Sequence, residues 1–153
     1  MKSKDSKRLM EIRSEILKVV LENNIRAAVI EGYAFGARNS QAHKIGELGG
    51  VVRLALYEAN IPYAEVPPTS RAKFATGRGN AAKTEVISAV SARTGIIWTG
   101  KGADDMCDAW LLEEMGWTVL GMGHYDWPKL SMDSLKNVDW SPLMEAGIVR
   151  GIT

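Results

Sequence analysis

The chain has 153 residues, 46% hydrophobic and 24% charged, which fits a single globular domain (1–153) large enough to bury a sizeable core. No apolar run approaches the roughly eighteen residues of a membrane span, and Glu11 and Glu15 interrupt the basic-then-apolar N-terminus, so it is not a signal-peptide core. A net charge of +1 neither predicts nor excludes nucleic-acid binding, which depends on where the charge sits.

Residues 7–22 read as an amphipathic helix, with Leu9, Ile12, Ile16, Val19 and Val20 at spacings of three and four. Residues 26–30 form a short apolar run that enters Glu31-Gly32, a buried strand with Glu31 at its C-terminal end. A glycine-containing loop follows over 33–39. Residues 41–59 return to helical period, with Ile45, Leu48, Val52, Leu56 and Ala59 on one face. Gly46, Gly49 and Gly50 lie inside that helix, each costing about 1 kcal/mol against alanine; close approach of another backbone would explain them.

Asn60-Ile61-Pro62 makes a turn, and YAEVPP gives a second short strand ended by two prolines. SRAKFATGRGNAAK reads as a loop of small and basic residues. A helix over 81–94 is closed by Gly95, and another over about 105–115 by Gly116. The remainder, 117–153, reads as an irregular tail wrapping over the core. Short strands between helices imply a parallel sheet in an α/β domain, yet two strands are a thin platform for so many helices.

Glu31 is the first candidate functional residue. An ionised carboxylate directly after a buried strand needs a partner, water or a metal, and that edge of a parallel sheet is where α/β enzymes place their chemistry; a solvated strand-end glutamate is the plain alternative. Asp104, Asp105 and Asp108 open a helix. Each alone suits the helix dipole, and Asp104 or Asp105 could be an N-cap. Asp105 and Asp108, at i and i+3, share a face, and Asp108 precedes the apolar Trp110, Leu111 and Leu112. Together Glu31, Asp105 and Asp108 make a plausible magnesium site, since magnesium takes oxygen ligands and two such ions clamp the attacking and leaving oxygens in phosphodiester cleavage. Zinc is disfavoured, because Cys107, His43 and His124 show no metal-ligand spacing. Cys107 reads as a buried small residue without a catalytic base, its solitary state fitting a reducing cytosol, and the two histidines as surface or packing residues.

The segment carrying Arg71, Lys73, Arg78 and Lys83 has no acid, and Gly77 and Gly79 allow close backbone approach. It is a reasonable phosphate-backbone surface or an ordinary solvated loop. Its glycine spacing is not that of a P-loop, so nucleotide binding is rejected.

These residues resemble the RuvC-type Holliday junction resolvases, particularly phage-encoded ones. The resemblance rests on AAVIEGYAFGARNSQAHKIGELGGVVRLALYEANIPYAEVPPTSRAKFATGRGNAAK followed by ADDMCDAWLL, and covers about residues 8–116. It implies a three-layer RNase H-like fold and a homodimeric endonuclease that cuts four-way DNA junctions in recombination and repair. The cofactor implied is Mg²⁺ or Mn²⁺, as two ions, and the cut leaves 5′-phosphate ends in the cytoplasm of a bacterium or phage-infected host. By position, Glu31 matches the family's second acidic ligand and Asp105 and Asp108 the pair on its last helix, with Asp104 an alternative to Asp105. Lys83 matches the lysine near the scissile DNA. Tyr33 or Phe35 stands near the junction-probing aromatic, and Arg38, Arg71, Lys73 and Arg78 join the DNA-facing set. The family begins with a strand whose aspartate bridges both ions, and nothing here matches it: Asp5 lies in the polar stretch KSKDSKR. The chain therefore reads as the family sequence entered at its first helix, with an N-terminally truncated sheet, to be completed by a missing N-terminal segment or a partner chain. A catalytically incomplete DNA-binding or dimerisation module, and another RNase H-like nuclease, are the competing readings.

Overall fold

The computed structural model describes residues 3–32 and 40–148, so Tyr33, Phe35 and Arg38 lie outside the described residues. The chain divides into two compact units by its contacts, with the breaks at β1 (Ala28–Glu31) and β2 (Tyr63–Val66).

In the first unit, α1 (Lys4–Glu22) packs against α2 (Ser40–Glu58). α1 begins three residues before the expected start because Ser3 caps it, its side chain accepting from the Ser6 amide. Arg13 ion-pairs with Glu58 between the two helices. Ala55, Leu56 and Ile61 are buried. The close backbone approach expected at the α2 glycines is not found at Gly46 or Gly50, where an added Cβ would meet nothing within 4 Å among the described residues. Ile45 and Leu48, expected on the core face, are exposed there.

The second unit takes in Val29–Gly32 and the chain from Ala64 onward, and so holds Glu31, Arg71, Lys83, Asp104 and Asp108. The Ala28 amide donates to the Pro62 carbonyl and the Gly32 amide to the Val66 carbonyl, at a constant offset, so β1 and β2 run parallel with α2 as their crossover. They are the two strands of the sheet among the described residues. The two prolines that end β2 also start a helix. Pro67 is the N-cap and Pro68 the first helical residue of α3 (Pro68–Thr76), which Gly77 terminates in the left-handed conformation. The first half of the segment expected to be a basic loop is thus helical, because proline supplies the fixed φ and glycine the stop. α4 (Lys83–Thr94) ends on left-handed Gly95, as expected. α5 (Ala103–Val119) does not end at Gly116 but passes through it. A Cβ there would stand 2.9 Å from Val29 Cγ2, so this glycine serves close packing of α5 on β1 rather than termination.

The tail is more ordered than its composition suggests. It holds α6 (Lys129–Ser134), a 3-10 turn over Leu135–Asn137, and α7 (Ser141–Glu145). Trp127, Leu135, Trp140 and Leu143 are buried in it, and three short helical segments stand in the stretch expected to be irregular. The anchor is Glu114 on α5, a fully buried acid. It accepts hydrogen bonds from the amides of His124 and Tyr125 and from Trp127 Nε1, and its other oxygen meets His124 Nδ1 at 2.7 Å. These bonds offset the cost of burying a carboxylate and tie the chain after α5 to the core of α3, α4 and α5, where Phe74, Val86, Val90, Leu111 and Met115 pack.

Candidate acidic active site

Glu31 ends β1 and Asp108 lies one turn into α5, and the structure brings the two together through a third residue. Arg71 of α3 places Nη1 2.8 Å from Glu31 Oε2 and 2.9 Å from Asp108 Oδ2. Its side chain is 10% exposed, Asp108's 16% and Glu31's 44%. The guanidinium therefore sits inward and the glutamate nearer solvent. Arg71 Nε is buried with no hydrogen-bond partner among the described residues. Arg71 was expected on a solvent-facing phosphate surface; it stands instead between two of the expected acidic ligands. The reason is helical phase: Arg71 shares the inward face of α3 with Phe74 and Ala75.

Burial raises the Asp108 carboxyl above its ordinary value, the Arg71 charge opposing that shift and Glu31 adding to it. Lys83 and Asp104 also act on Asp108, which makes them its neighbours. Lys83, the first residue of α4, donates from Nζ to Asp104 Oδ2 at 3.0 Å. That bond and the attraction between the two charges raise the lysine and lower the aspartate, so both stay ionised. Asp104 is thus held by Lys83, while Asp105 is exposed. The helix start carries two acidic residues with different surroundings.

Lys73 is half-buried near the C-terminal end of α3, and Arg78 is exposed and ion-pairs with Glu85. Cys107 is completely buried beside Asp108, and desolvation pushes its thiol up to about 11, in keeping with a packing role. His43 is exposed, and the His124 side chain, 61% exposed, meets the buried Glu114.

Glu31 and Asp108 offer the oxygen donors that a hard divalent ion prefers. As arranged, they do not fit one. Among the described residues no three of His, Cys, Asp and Glu form a metal-holding group, and a protein cation fills the position between the two carboxylates. Sequence reasoning placed Arg71 in the DNA-facing set and missed its pairing with Glu31 and Asp108. The available signal was Pro68 at a helix start and Gly77 at its stop, which together convert the loop into a helix with an inward face.

The family model described as crossover junction endodeoxyribonuclease RuvC matches residues 1–110. A crossover junction endodeoxyribonuclease RuvC from Sorangium cellulosum is 36% identical over 85 residues, 56% of this chain and 48% of that protein. The RuvC of Prochlorococcus marinus strain NATL1A is 29% identical over 106 residues, 69% of this chain and 68% of the relative. That of Carboxydothermus hydrogenoformans is 29% identical over 115 residues, 75% and 72% of the two chains. The match thus spans about half of the Sorangium protein and more of the others. The solved structure of Thermus thermophilus RuvC superposes with a TM-score of 0.62 at 23% identity, covering 82% of this chain and 75% of that one. A second structure, of the same protein in complex with a Holliday junction substrate, gives the same score and covers 76% of that chain. The fold is that of RuvC, an α/β RNase H-like fold whose sheet has two strands among the described residues. With residues 1–110 of its 153 matched by the family model, the chain belongs to the RuvC family of crossover junction endodeoxyribonucleases.

Proposed function

We propose that this chain, taken as one nuclease domain over 1–153, is a Holliday junction resolvase-type endonuclease acting on branched DNA in recombination and repair. The observation that carries the reading is the meeting of Glu31 from the strand end with Asp108 from α5, with Lys83 and Asp104 beside them, in a chain of the RuvC family. The Holliday junction bound to the Thermus relative supports a four-way junction as substrate. Hydrolysis there would break the bond between phosphorus and the 3′ oxygen and leave a 5′-phosphate.

The family is one of metal-dependent nucleases, and Mg²⁺ or Mn²⁺, as two ions, is the cofactor we assign from the resemblance. Glu31, Asp108 and Asp105 or Asp104 are the carboxylates we assign to the reaction. Lys83 is the residue we assign to the scissile phosphate. Its exposed ammonium, kept charged by Asp104, is a point charge for a non-bridging oxygen. Lys73 and Arg78 extend a basic surface for the backbone, and Tyr33, Phe35 and Arg38 complete the DNA-facing set. A homodimer in the cytoplasm is the working assembly under this reading. No helix among the described residues is long and apolar enough to cross a membrane.

A second reading is favoured by Arg71. With a guanidinium between Glu31 and Asp108, the chain would bind junctions without cutting them, as a binding or dimerisation module. Incubation with a synthetic four-way junction and with plain duplex, each with Mg²⁺ or Mn²⁺, separates the possibilities. Junction-selective cutting that Glu31→Gln abolishes supports the resolvase. Selective binding without cutting at any metal concentration favours the module. Equal cutting of duplex points to another RNase H-like nuclease.

A further inference from the structure

We propose that Arg71 is an internal counter-cation holding the position between Glu31 and Asp108, so that a divalent metal enters there only in exchange for the guanidinium. The proposal rests on reading these two carboxylates as the acidic site of the chain. Its first support is geometric. One nitrogen, Nη1, contacts an oxygen of each carboxylate, at 2.8 and 2.9 Å, so the single positive centre bridges both. A divalent ion binding the same two oxygens at about 2.0–2.1 Å would have to occupy that nitrogen's place. Arginine cannot lose its charge to make room, so the two cations exclude each other and the guanidinium must move.

The second support is the state of Arg71 itself. A permanent structural arginine at this depth would use its planar set of donors fully. Here Nη1 is engaged by the carboxylates while the buried Nε has no partner among the described residues. A buried donor without an acceptor disfavours the position, which leaves the inward arrangement held chiefly by the two acids that a metal would claim. Solvent reaches the pair on the Glu31 side, where the glutamate side chain is 44% exposed. Metal affinity at this site is then reduced by the fraction of molecules in which Arg71 remains inside.

The test is Mn²⁺ binding by the full chain without DNA, read from the loss of the free-ion electron paramagnetic resonance signal. Wild type is compared with Arg71→Met and with Arg71→Met/Asp108→Asn. Arg71→Met is expected to bind Mn²⁺ at least about tenfold more tightly than wild type, and the added Asp108→Asn to remove the gain. Wild type binding as tightly as Arg71→Met, or an Arg71→Met chain that gains nothing, overturns the exchange and leaves Arg71 a fixed structural ion pair. Should Arg71→Met be unfolded in chelator, circular dichroism during Mn²⁺ titration decides. Refolding by the metal supports the proposal, and a chain that stays unfolded at every concentration refutes it. Junction binding by wild type in chelator is measured separately; its failure would sink the resolvase reading while leaving the Mn²⁺ comparison intact.

Discussion

Arg71 on α3 and Asp108 on α5 face each other at 2.9 Å, and the aspartate's carboxyl is raised above its ordinary value even with that cation beside it. Desolvation outweighs attraction, as it does for many buried ion pairs. Asp108→Asn removes the charge that folding disfavours and keeps an oxygen for the guanidinium, while Glu31 still balances Arg71. The melting temperature at pH 7 should therefore hold or rise by a few degrees. Because the folded-state value is raised, the stability contributed by protonated Asp108 is present below its ordinary 3.8 and is lost as pH rises through the folded-state value. Wild type should lose stability relative to Asp108→Asn over that rise. Junction cleavage should fall by about a hundredfold or more with junction binding preserved. Calorimetry across pH and a gel-based cleavage assay check both halves. Full activity in the variant removes Asp108 from the chemistry, and a markedly lower melting temperature means that its charge supports the fold.

Lys83 presents the opposite case, an exposed ion whose pairing with Asp104 contributes little to stability. Lys83→Ala should leave the melting temperature unchanged. If the ammonium serves a phosphate, the variant should cut junctions at least about tenfold more slowly, and the slope of junction affinity against salt should shrink by about one counterion. Binding titrations at several salt concentrations provide the readout. An unchanged slope together with unchanged cutting takes Lys83 out of the DNA-facing set.

Cys107 is the most deeply buried titratable neighbour of the site, with its thiol pushed from 9.0 up to about 11 by loss of water. The thiol should resist iodoacetamide at pH 8 in the native protein and react only at the rate of unfolding. Raising a thiol's folded-state value means that its stabilising contribution is present below 9.0 and is lost as pH climbs towards about 11. Cys107→Ala should accordingly flatten the alkaline fall in stability. Prompt stoichiometric labelling of native protein, read by mass spectrometry, contradicts this account.

Features set by neighbouring residues were legible in the sequence. β1 ending at Glu31, α4 stopping at Gly95 and the helical span of α1 each follow from signals within a few positions, although Val19 of the expected apolar stripe of α1 is exposed. Features set by distant partners were not. A run of arginines and lysines without acids reads as solvated, yet Arg71 is buried and paired with Glu31, forty positions away, and with Asp108 on another helix. Nothing near Glu114 in the sequence marks it for burial; its partners are the amides of His124 and Tyr125, ten and eleven positions on. The positions of Glu31 at a strand end and of Asp104, Asp105 and Asp108 at a helix start were legible. The cation between Glu31 and Asp108 was not, because its position depends on the packing of three separate elements.

Gly116 shows the same dependence in a form that stability alone can test. In isolation, Gly116→Ala should favour α5 by about 1 kcal/mol through helix propensity. In the folded chain the new Cβ would lie 2.9 Å from Val29 Cγ2 and 3.5 Å from Leu143 Cδ2. The first contact is too short to keep and falls on a branched side chain of a strand, so β1 or α5 must shift. Overpacking of this kind costs about 1–3 kcal/mol, enough to reverse the helix gain. The variant should melt about 2–4 °C lower than wild type. Val29→Ala removes the opposing methyl, so the double variant should be more stable than the two single effects added, by roughly 1 kcal/mol of coupling. Urea denaturation of the four proteins gives that coupling directly. Strict additivity would mean that the glycine is not held by Val29, and a stabilised single variant that α5 has room to spare at β1.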